Sequence, residues 1–241
     1  MEIARHLVEK IGPRWAGRDG AASAAKYLAD CFAGLGLQVQ TQDFPFLGWQ
    51  VDELPRLEVL EPESVQASVA LVEYSGSTPT QGVVGELREA GQAHIVPGFL
   101  DWPRYAIVTD DGRTAGYLIA HIGLAGWLGP AIPLANPEPF YPFPMAILAQ
   151  SDHEHFQKWL QAGKRIRVRF SARGHYGDAW LGHNVIATLP GDSQRTLVLC
   201  AHLDTAYGTP GANNNACGVQ ALYEVAQRLQ GAKRRRMTYQ F

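Results

Sequence analysis

The chain has 241 residues, of which 46% are hydrophobic, and this composition is typical of a folded globular protein rather than a disordered or fibrous one. Its 21 basic and 23 acidic side chains give a formal net charge of −2, so no general attraction to nucleic acid or to an anionic membrane is expected, and no apolar run approaches the roughly 18 residues of a membrane-spanning helix. Three cysteines and a charged N-terminus without a secretory signal favour a cytoplasmic location.

Residues 1–43 are predicted to form two helices followed by a strand. The first helix ends at Gly12-Pro13, and a second helix follows Asp19-Gly20. Apolar side chains recur in this second helix at the spacing of one helical face: Ala24, Tyr27, Leu28, Cys31, Phe32 and Leu35. Apolar and polar residues then alternate over 37–42, which predicts a half-buried strand and an α/β opening.

Residues 44–175 are predicted to form a separate β-rich unit, because proline is frequent and apolar runs are short. Strands are predicted at 68–74 and 105–109, and residues 117–122 suit either a strand or a short buried helix. Ser151 and Glu154 match a capping box that begins a helix ended by Gly163. The alternation of arginine with apolar residues over 165–170 predicts an edge strand.

Residues 176–241 return to an α/β pattern. A strand is predicted at 184–189, and the continuous apolar run at 196–201 predicts a strand buried on both faces. A helix with apolar residues from Val219 to Leu229 is predicted to end at Gly231, and a further strand begins at residues 237–241.

Histidine and aspartate follow the apolar run at 196–201 as His202-Leu203-Asp204. A histidine at the carboxyl end of a buried strand can ligate zinc through one ring nitrogen, while a carboxylate holds the other nitrogen. The alternative is a surface histidine beside a turn aspartate, which is the commoner origin of such a pair. A glycine-rich loop with three asparagines at 213–215 then opens the next helix, and the two segments together are more specific than either alone.

These segments resemble the co-catalytic zinc exopeptidases, which include aminopeptidase Y, bacterial leucyl aminopeptidases and glutamate carboxypeptidases. The resemblance lies in Asn184-Val185-Ile186-Ala187, His202-Leu203-Asp204 and the run 211–219, with support from Ile11-Gly12-Pro13-Arg14. It implies an incomplete mixed-sheet α/β exopeptidase core formed by residues 1–43 and 176–241. Residues 44–175 would then be a β-rich, protease-associated-like insert in that core.

The resemblance also implies a set of site residues. His202 matches the first zinc ligand of the family, and Asp204 matches the catalytic-site carboxylate that orients this histidine. Asn214 lies where the family has an aspartate that bridges two zinc ions. Because an amide offers one carbonyl oxygen and no charge, zinc affinity is expected to fall sharply at this position.

In the family, a Glu-Glu pair comes after the strand that follows this helix. One glutamate of the pair is the general base and the other is a zinc ligand. Residues 205–241 contain one acidic residue, Glu224. We therefore expect a truncated and inactive form of an aminopeptidase-like zinc metallopeptidase, a class that hydrolyses peptide substrates with metal-activated water. The alternative is a non-catalytic peptidase-like protein whose insert is an interaction module.

Overall fold

Helices and strands are mixed along the chain in the computed structural model, which describes residues 2–96, 100–123 and 142–241. The helices are α1 (Glu2–His6), α2 (Asp19–Gly34), α3 (Gln150–Gln161) and α4 (Cys217–Gln230). The strands are β1 (Gln38–Glu61), β2 (Val65–Ala67), β3 (Val69–Leu71), β4 (Val83–Val96), β5 (Leu100–Val108), β6 (Thr114–Ala120), β7 (Met145–Leu148), β8 (Arg167–Leu189), β9 (Thr196–Val198) and β10 (Thr238–Gln240). Parallel and antiparallel pairs both occur, which confirms the predicted mixed α/β class.

Two compact units divide the chain. The core unit comprises Met1–Gly48 and Asp178–Phe241, and the insert unit comprises Trp49–Gly177. Strands β1 and β8 each contribute residues to both units, and the boundaries predicted at 43/44 and 175/176 fall inside these two strands. Among the described residues, none of the helices combines the length and apolar character needed to cross a bilayer.

The core unit contains the predicted helices of residues 1–43 and 217–230. Helix α1 continues as a π-helical stretch, Leu7–Ile11, and α2 and α4 bury apolar faces as their periodicity predicts. One cluster contains Ile3, Leu7, Ala24, Leu28, Ala216 and Val219, and a second contains Phe32, Leu37, Ala187, Leu189, Ala226 and Phe241. Each large side chain buried in this way contributes about 1.5–3 kcal/mol to folding.

Strand β10 lies between β8 and β9 in the core unit. It pairs antiparallel with β8, where Tyr239 is opposite Leu189, and parallel with β9, where Thr238 is opposite Thr196. Phe241 extends the pairing with β8, since it exchanges backbone hydrogen bonds of 2.9 and 3.0 Å with Ala187. The strand predicted to begin at residues 237–241 is therefore present.

The prediction of a strand buried on both faces at 196–201 is wrong. Strand β9 covers only residues 196–198, and Leu197 and Val198 are 45% and 63% exposed. Alternate residues after it, Leu199, Ala201 and Leu203, pack into the two core clusters. His202 and Asp204 alternate with them and are exposed, because the helices cover one face of this segment and leave the other open.

The insert unit is built mainly of strands in the order β8-β4-β5-β6-β7-β3. All these pairs are antiparallel except β6 with β7, and β2 pairs antiparallel with β1. The alternative left open at residues 117–122 is decided in favour of the strand, β6. Helix α3 packs Phe156 into the cluster formed by these strands.

The edge strand predicted at 165–170 is wrong, because β8 lies between β1 and β4. Its alternation is nevertheless real: Ile166, Val168 and Phe170 are buried in the insert cluster. The arginines form ion pairs, Arg165 with Glu86 at 3.1 Å, Arg167 with Asp110 at 2.7 Å and Arg169 with Glu58 at 2.6 Å. An interior strand therefore shows the same pattern as an edge when ion pairs cover its second face.

The predicted capping box at Ser151 is also not formed. Helix α3 begins at Gln150 after Ala149, which makes no side-chain cap hydrogen bond. Asp152 in the first turn instead accepts a hydrogen bond of 2.8 Å from the backbone N–H of Ser68. The helix thus begins one residue before Ser151, without a side-chain cap, and its first turn makes a long-range contact instead.

Candidate metal site

His202 and Asp204 lie on the extended segment that follows β9. Their side chains are about half exposed, at 52% and 54%. Nδ1 of His202 lies 3.3 Å from Oδ1 of Asp204 and 3.1 Å from the backbone oxygen of the same residue. Both acceptors lie on the Nδ1 side of the ring, which leaves Nε2 as the nitrogen available to a ligand.

Asn214 faces His202 from the loop that precedes α4. Its Oδ1 lies 2.8 Å from Nε2 of His202. Asn215 adds a second link, since its Nδ2 donates to the backbone oxygen of His202 at 3.3 Å. The loop, Ala212–Ala216, is a π-helical turn broken at the two asparagines, whose φ and ψ are non-helical. The structure thus brings together the three residues predicted for the site.

The proton on Nε2 decides what this pair can bind. A neutral imidazole has one N–H group, which can donate either from Nε2 to the Asn214 oxygen or from Nδ1 to Asp204. A zinc ion needs the lone pair of an unprotonated nitrogen, so at Nε2 it would take the place of the proton shared with Asn214. Asp204 accepts at Nδ1 and thereby favours the tautomer whose Nε2 carries the lone pair once the metal is present.

The residues present fit one part of a zinc site. His202 supplies an imidazole nitrogen, Asp204 its orienting carboxylate, and Asn214 a neutral oxygen. Within residues 2–96, 100–123 and 142–241, no group of three or more His, Cys, Asp or Glu side chains could hold a metal ion. Glu224 accepts a hydrogen bond of 2.9 Å from Gln220 and lines a different cavity. Since zinc sites in proteins use three or four protein ligands, the set is partial.

A cavity of about 570 Å³ in the core unit borders this site. It runs between residues 182–186 of β8 and residues 198–204, which include His202 and Asp204. Aromatic side chains of β1, Phe44 and Phe46, also line it. An apolar surface therefore lies directly beside the candidate ligands, a feature that the sequence analysis does not identify.

The segment that carries these residues matches a known family. Residues 184–240 match peptidase family M28. The resemblance to zinc exopeptidases drawn from the sequence is thus confirmed at the level of the family. None of the curated proteins matches the chain.

Solved structures extend the likeness of the chain beyond the matched segment. A peptidase M28 precursor from Shewanella amazonensis SB2B is 18% identical, with a TM-score of 0.80 over 99% of this chain and 62% of its own. The zinc aminopeptidase BSAP from Bacillus subtilis is 17% identical, with a TM-score of 0.69 over 100% of this chain and 59% of its own.

An aminopeptidase from Aneurinibacillus sp. strain AM-1 is also 17% identical, with a TM-score of 0.65 over 100% of this chain and 61% of its own. The chain therefore spans 59–62% of the length of these three structures. At such low identity the likeness establishes the shared fold.

Arg14 is the residue of this site that sequence reasoning missed. It lies outside the M28-matched segment and is fully buried, yet its side chain donates to the backbone oxygens of Leu203 and Pro210 at 2.9 and 2.8 Å. Burial lowers the pKa of the Arg14 guanidinium, and the nearby Asp204 carboxylate opposes this by a smaller amount. Because the hydrogen-bond acceptors of this side chain are backbone carbonyls, no pairing of side-chain types in the sequence points to it.

Proposed function

We propose that this chain carries part of a zinc metallopeptidase centre, in which His202 is a zinc ligand and Asp204 orients its imidazole. The observation that carries the proposal is the convergence of His202 Nε2 and Asn214 Oδ1 at 2.8 Å, with Asp204 at Nδ1. The match of residues 184–240 to peptidase family M28 and the names of two solved structures, a zinc aminopeptidase and an aminopeptidase, support peptide hydrolysis as the reaction class.

Zinc in such a centre lowers the pKa of a bound water and polarises the scissile carbonyl. The role of this chain is to position the side chains that would ligate the metal. With zinc at Nε2, Asp204 would accept the Nδ1 proton of His202 and so hold the ring with Nε2 towards Asn214. Asn214 offers a neutral oxygen where a bridging carboxylate would compensate two dications, so we infer weaker metal binding than an aspartate would give.

Hydrolysis by metal-activated water also needs a general base. Glu224 is the one acidic residue in 205–241, and it is engaged with Gln220 on α4. We therefore infer that the 241 residues by themselves do not hydrolyse peptides, whatever their zinc affinity.

The β-rich insert unit is proposed to be a protease-associated-like module, in keeping with its position between the two parts of the core unit.

A non-catalytic, peptidase-like protein is the second candidate function. Asn214 favours it specifically, because the carboxamide and the imidazole satisfy each other in a hydrogen bond without any ion. In this case the site is a structural contact that holds the loop Ala212–Ala216, and the insert unit is the interaction module.

Zinc titration by isothermal calorimetry separates the two functions. We expect the chain to bind zinc and His202→Gln to abolish that binding. The matched control is His175→Gln, because His175 also pairs with an aspartate, Asp52, at 2.8 Å, in the insert unit. Zinc binding that survives His202→Gln contradicts the metallopeptidase proposal. A chain that binds no zinc until Asn214→Asp is introduced supports the non-catalytic function.

A further inference from the structure

Arg14 joins three backbone segments of the core unit. The side chain is fully buried and each of its donor nitrogens has a carbonyl acceptor. Nε donates to Leu203 O at 2.9 Å; Nη1 donates to Leu7 O at 3.1 Å, Gly12 O at 2.9 Å and Pro210 O at 2.8 Å; Nη2 donates to Gly211 O at 3.3 Å. The guanidinium therefore connects the end of the first helix with both segments that carry the candidate ligands.

The acceptors are next to the ligands in the sequence. Leu203 directly follows His202, and Gly211 lies three residues before Asn214. The backbone of Arg14 adds a second clamp on the first segment: its N–H donates to Thr205 Oγ1 at 2.9 Å, and the Thr205 N–H donates to its carbonyl at 3.2 Å. One residue thus holds the two segments whose separation sets the His202–Asn214 distance.

The chemistry of arginine explains why this position uses it. A planar guanidinium presents five N–H donors in a fixed fork, so it can satisfy several carbonyls that point at it from different directions. A lysine has three donors on one atom, and an apolar side chain has none. Buried carbonyls without donors are costly, so the segments would have to separate or admit water if the fork were removed.

We propose that Arg14 is a positioning residue that sets the spacing between His202 and Asn214. Its consequence for metal binding rests on the proposed function, whereas its effect on the two segments is a property of the chain itself. Arg14 touches neither ligand side chain among the contacts described above, and acts through the backbones of Leu203 and Gly211.

The test compares Arg14→Met and Arg14→Lys with a matched control, Arg18→Met. Arg18 lies four residues away in the same unit, where its guanidinium stacks on Trp180 at 3.9 Å. Hydrogen exchange is followed in peptides covering residues 200–206 and 209–216, with helix α2 as the internal reference. Nitrogen-15 NMR of the His202 ring reports its tautomer, and zinc titration reports the affinity.

We expect Arg14→Met to speed exchange in both peptides at least tenfold relative to α2, to shift the His202 ring signals, and to weaken zinc binding about 10–100-fold, the usual effect of losing support behind a ligand. Arg14→Lys is expected to change the exchange rates, ring signals and zinc affinity by less than Arg14→Met does. Arg18→Met is expected to leave all three readouts unchanged. If Arg14→Met does not fold, the same three measurements on Arg14→Lys test the proposal.

Three results overturn the proposal: exchange rises in one segment or in neither, α2 loosens to the same extent, or both segments loosen while zinc affinity is retained. A chain that binds no zinc before any substitution counts against the proposed function instead. In that case the exchange and NMR readouts still decide the role of Arg14, so the two failures are distinguishable.

Discussion

Nε2 of His202 lies 2.8 Å from Oδ1 of Asn214, so the nitrogen that would ligate zinc is already paired with a neutral oxygen. The Asp204 carboxylate lies on the other side of the ring, 3.3 Å from Nδ1. Charge at Asn214 is one difference between this arrangement and a strong metal site, in addition to the partial ligand set among the described residues.

Asn214→Asp is therefore expected to tighten zinc binding at least tenfold, since a carboxylate supplies both a second oxygen and a compensating negative charge. Calorimetric titration with zinc measures the change. The matched control is Asn213→Asp, which adds the same charge one residue away on the same exposed loop. Equal gains from both variants would mean that general attraction of the cation, and not ligation at residue 214, explains the effect.

Asp204→Asn tests the orienting role of the carboxylate. Zinc affinity is expected to fall about 10–100-fold, because the His202 ring loses the charged acceptor at Nδ1. Global stability should change by less than about 0.5 kcal/mol, since both side chains are half exposed. Asp43→Asn is the control: Asp43 makes the same kind of contact with His183 at 2.7 Å. A zinc affinity that is unchanged in Asp204→Asn would remove Asp204 from the site.

The sequence was sufficient for the parts of this fold that depend on local periodicity. Helices α2 and α4 follow from apolar spacing, and the pairing of His202 with Asp204 follows from alternation along one extended segment. Arg14 could not be predicted in this way, because its acceptors are carbonyls distant in sequence. The exposure of Val198 was missed for a similar reason. An apolar run indicates which residues favour burial, but whether another element covers them depends on the topology of the whole fold.

Strand β8 illustrates the same limit in the insert unit. Its alternating arginines suit an exposed edge as well as an interior strand with ion pairs on one face. Only the long-range partners, such as Glu58 for Arg169, distinguish the two. The capping box predicted at Ser151 is likewise not formed, since α3 begins one residue earlier, after Ala149.

Gly211 is expected to be essential to the loop that carries Asn214. It has φ of +58°, and a Cβ there would lie 2.3 Å from Thr205 Cγ2 and 2.6 Å from Asn214 O. Gly211→Ala should therefore lower the free energy of unfolding by about 2 kcal/mol or more, because left-handed backbone and steric overlap both oppose it. Urea denaturation measures the loss.

Two further glycines act as controls for this prediction. Gly208 has φ of +69° with nothing within 4 Å of a Cβ, so Gly208→Ala isolates the backbone cost of about 1–2 kcal/mol. Gly231, with φ of −72°, has its nearest neighbour at 3.7 Å, so Gly231→Ala should change stability by less than about 0.5 kcal/mol. A Gly211→Ala protein as stable as Gly208→Ala would show that the loop can relax around the added methyl group.

Acid should destabilise the insert unit through His153. Its Nδ1 lies 2.9 Å from Tyr105 Oη, which also accepts a hydrogen bond of 2.7 Å from Gln157 Nε2, so the hydroxyl is free to donate its own proton to an unprotonated Nδ1. Burial lowers the pKa of His153 below its ordinary value of 6.5, although Glu154 and Glu89 oppose the shift. The unfolded chain then binds the proton more readily, so stability is retained above about pH 6.5 and is lost as the pH falls below it.

His153→Asn tests this because an asparagine Oδ1 can accept from Tyr105 Oη and does not titrate. The loss of unfolding free energy between pH 7.5 and pH 5 should be smaller in this variant than in the unsubstituted protein. Some loss should remain, since burial also lowers the pKa of His121. His155→Asn on the exposed side of α3 is the control and should keep the full loss. An unchanged pH dependence in His153→Asn would assign the acid sensitivity to other groups, His121 first, because the hydroxyl of Tyr105 would then accommodate a protonated ring at no cost.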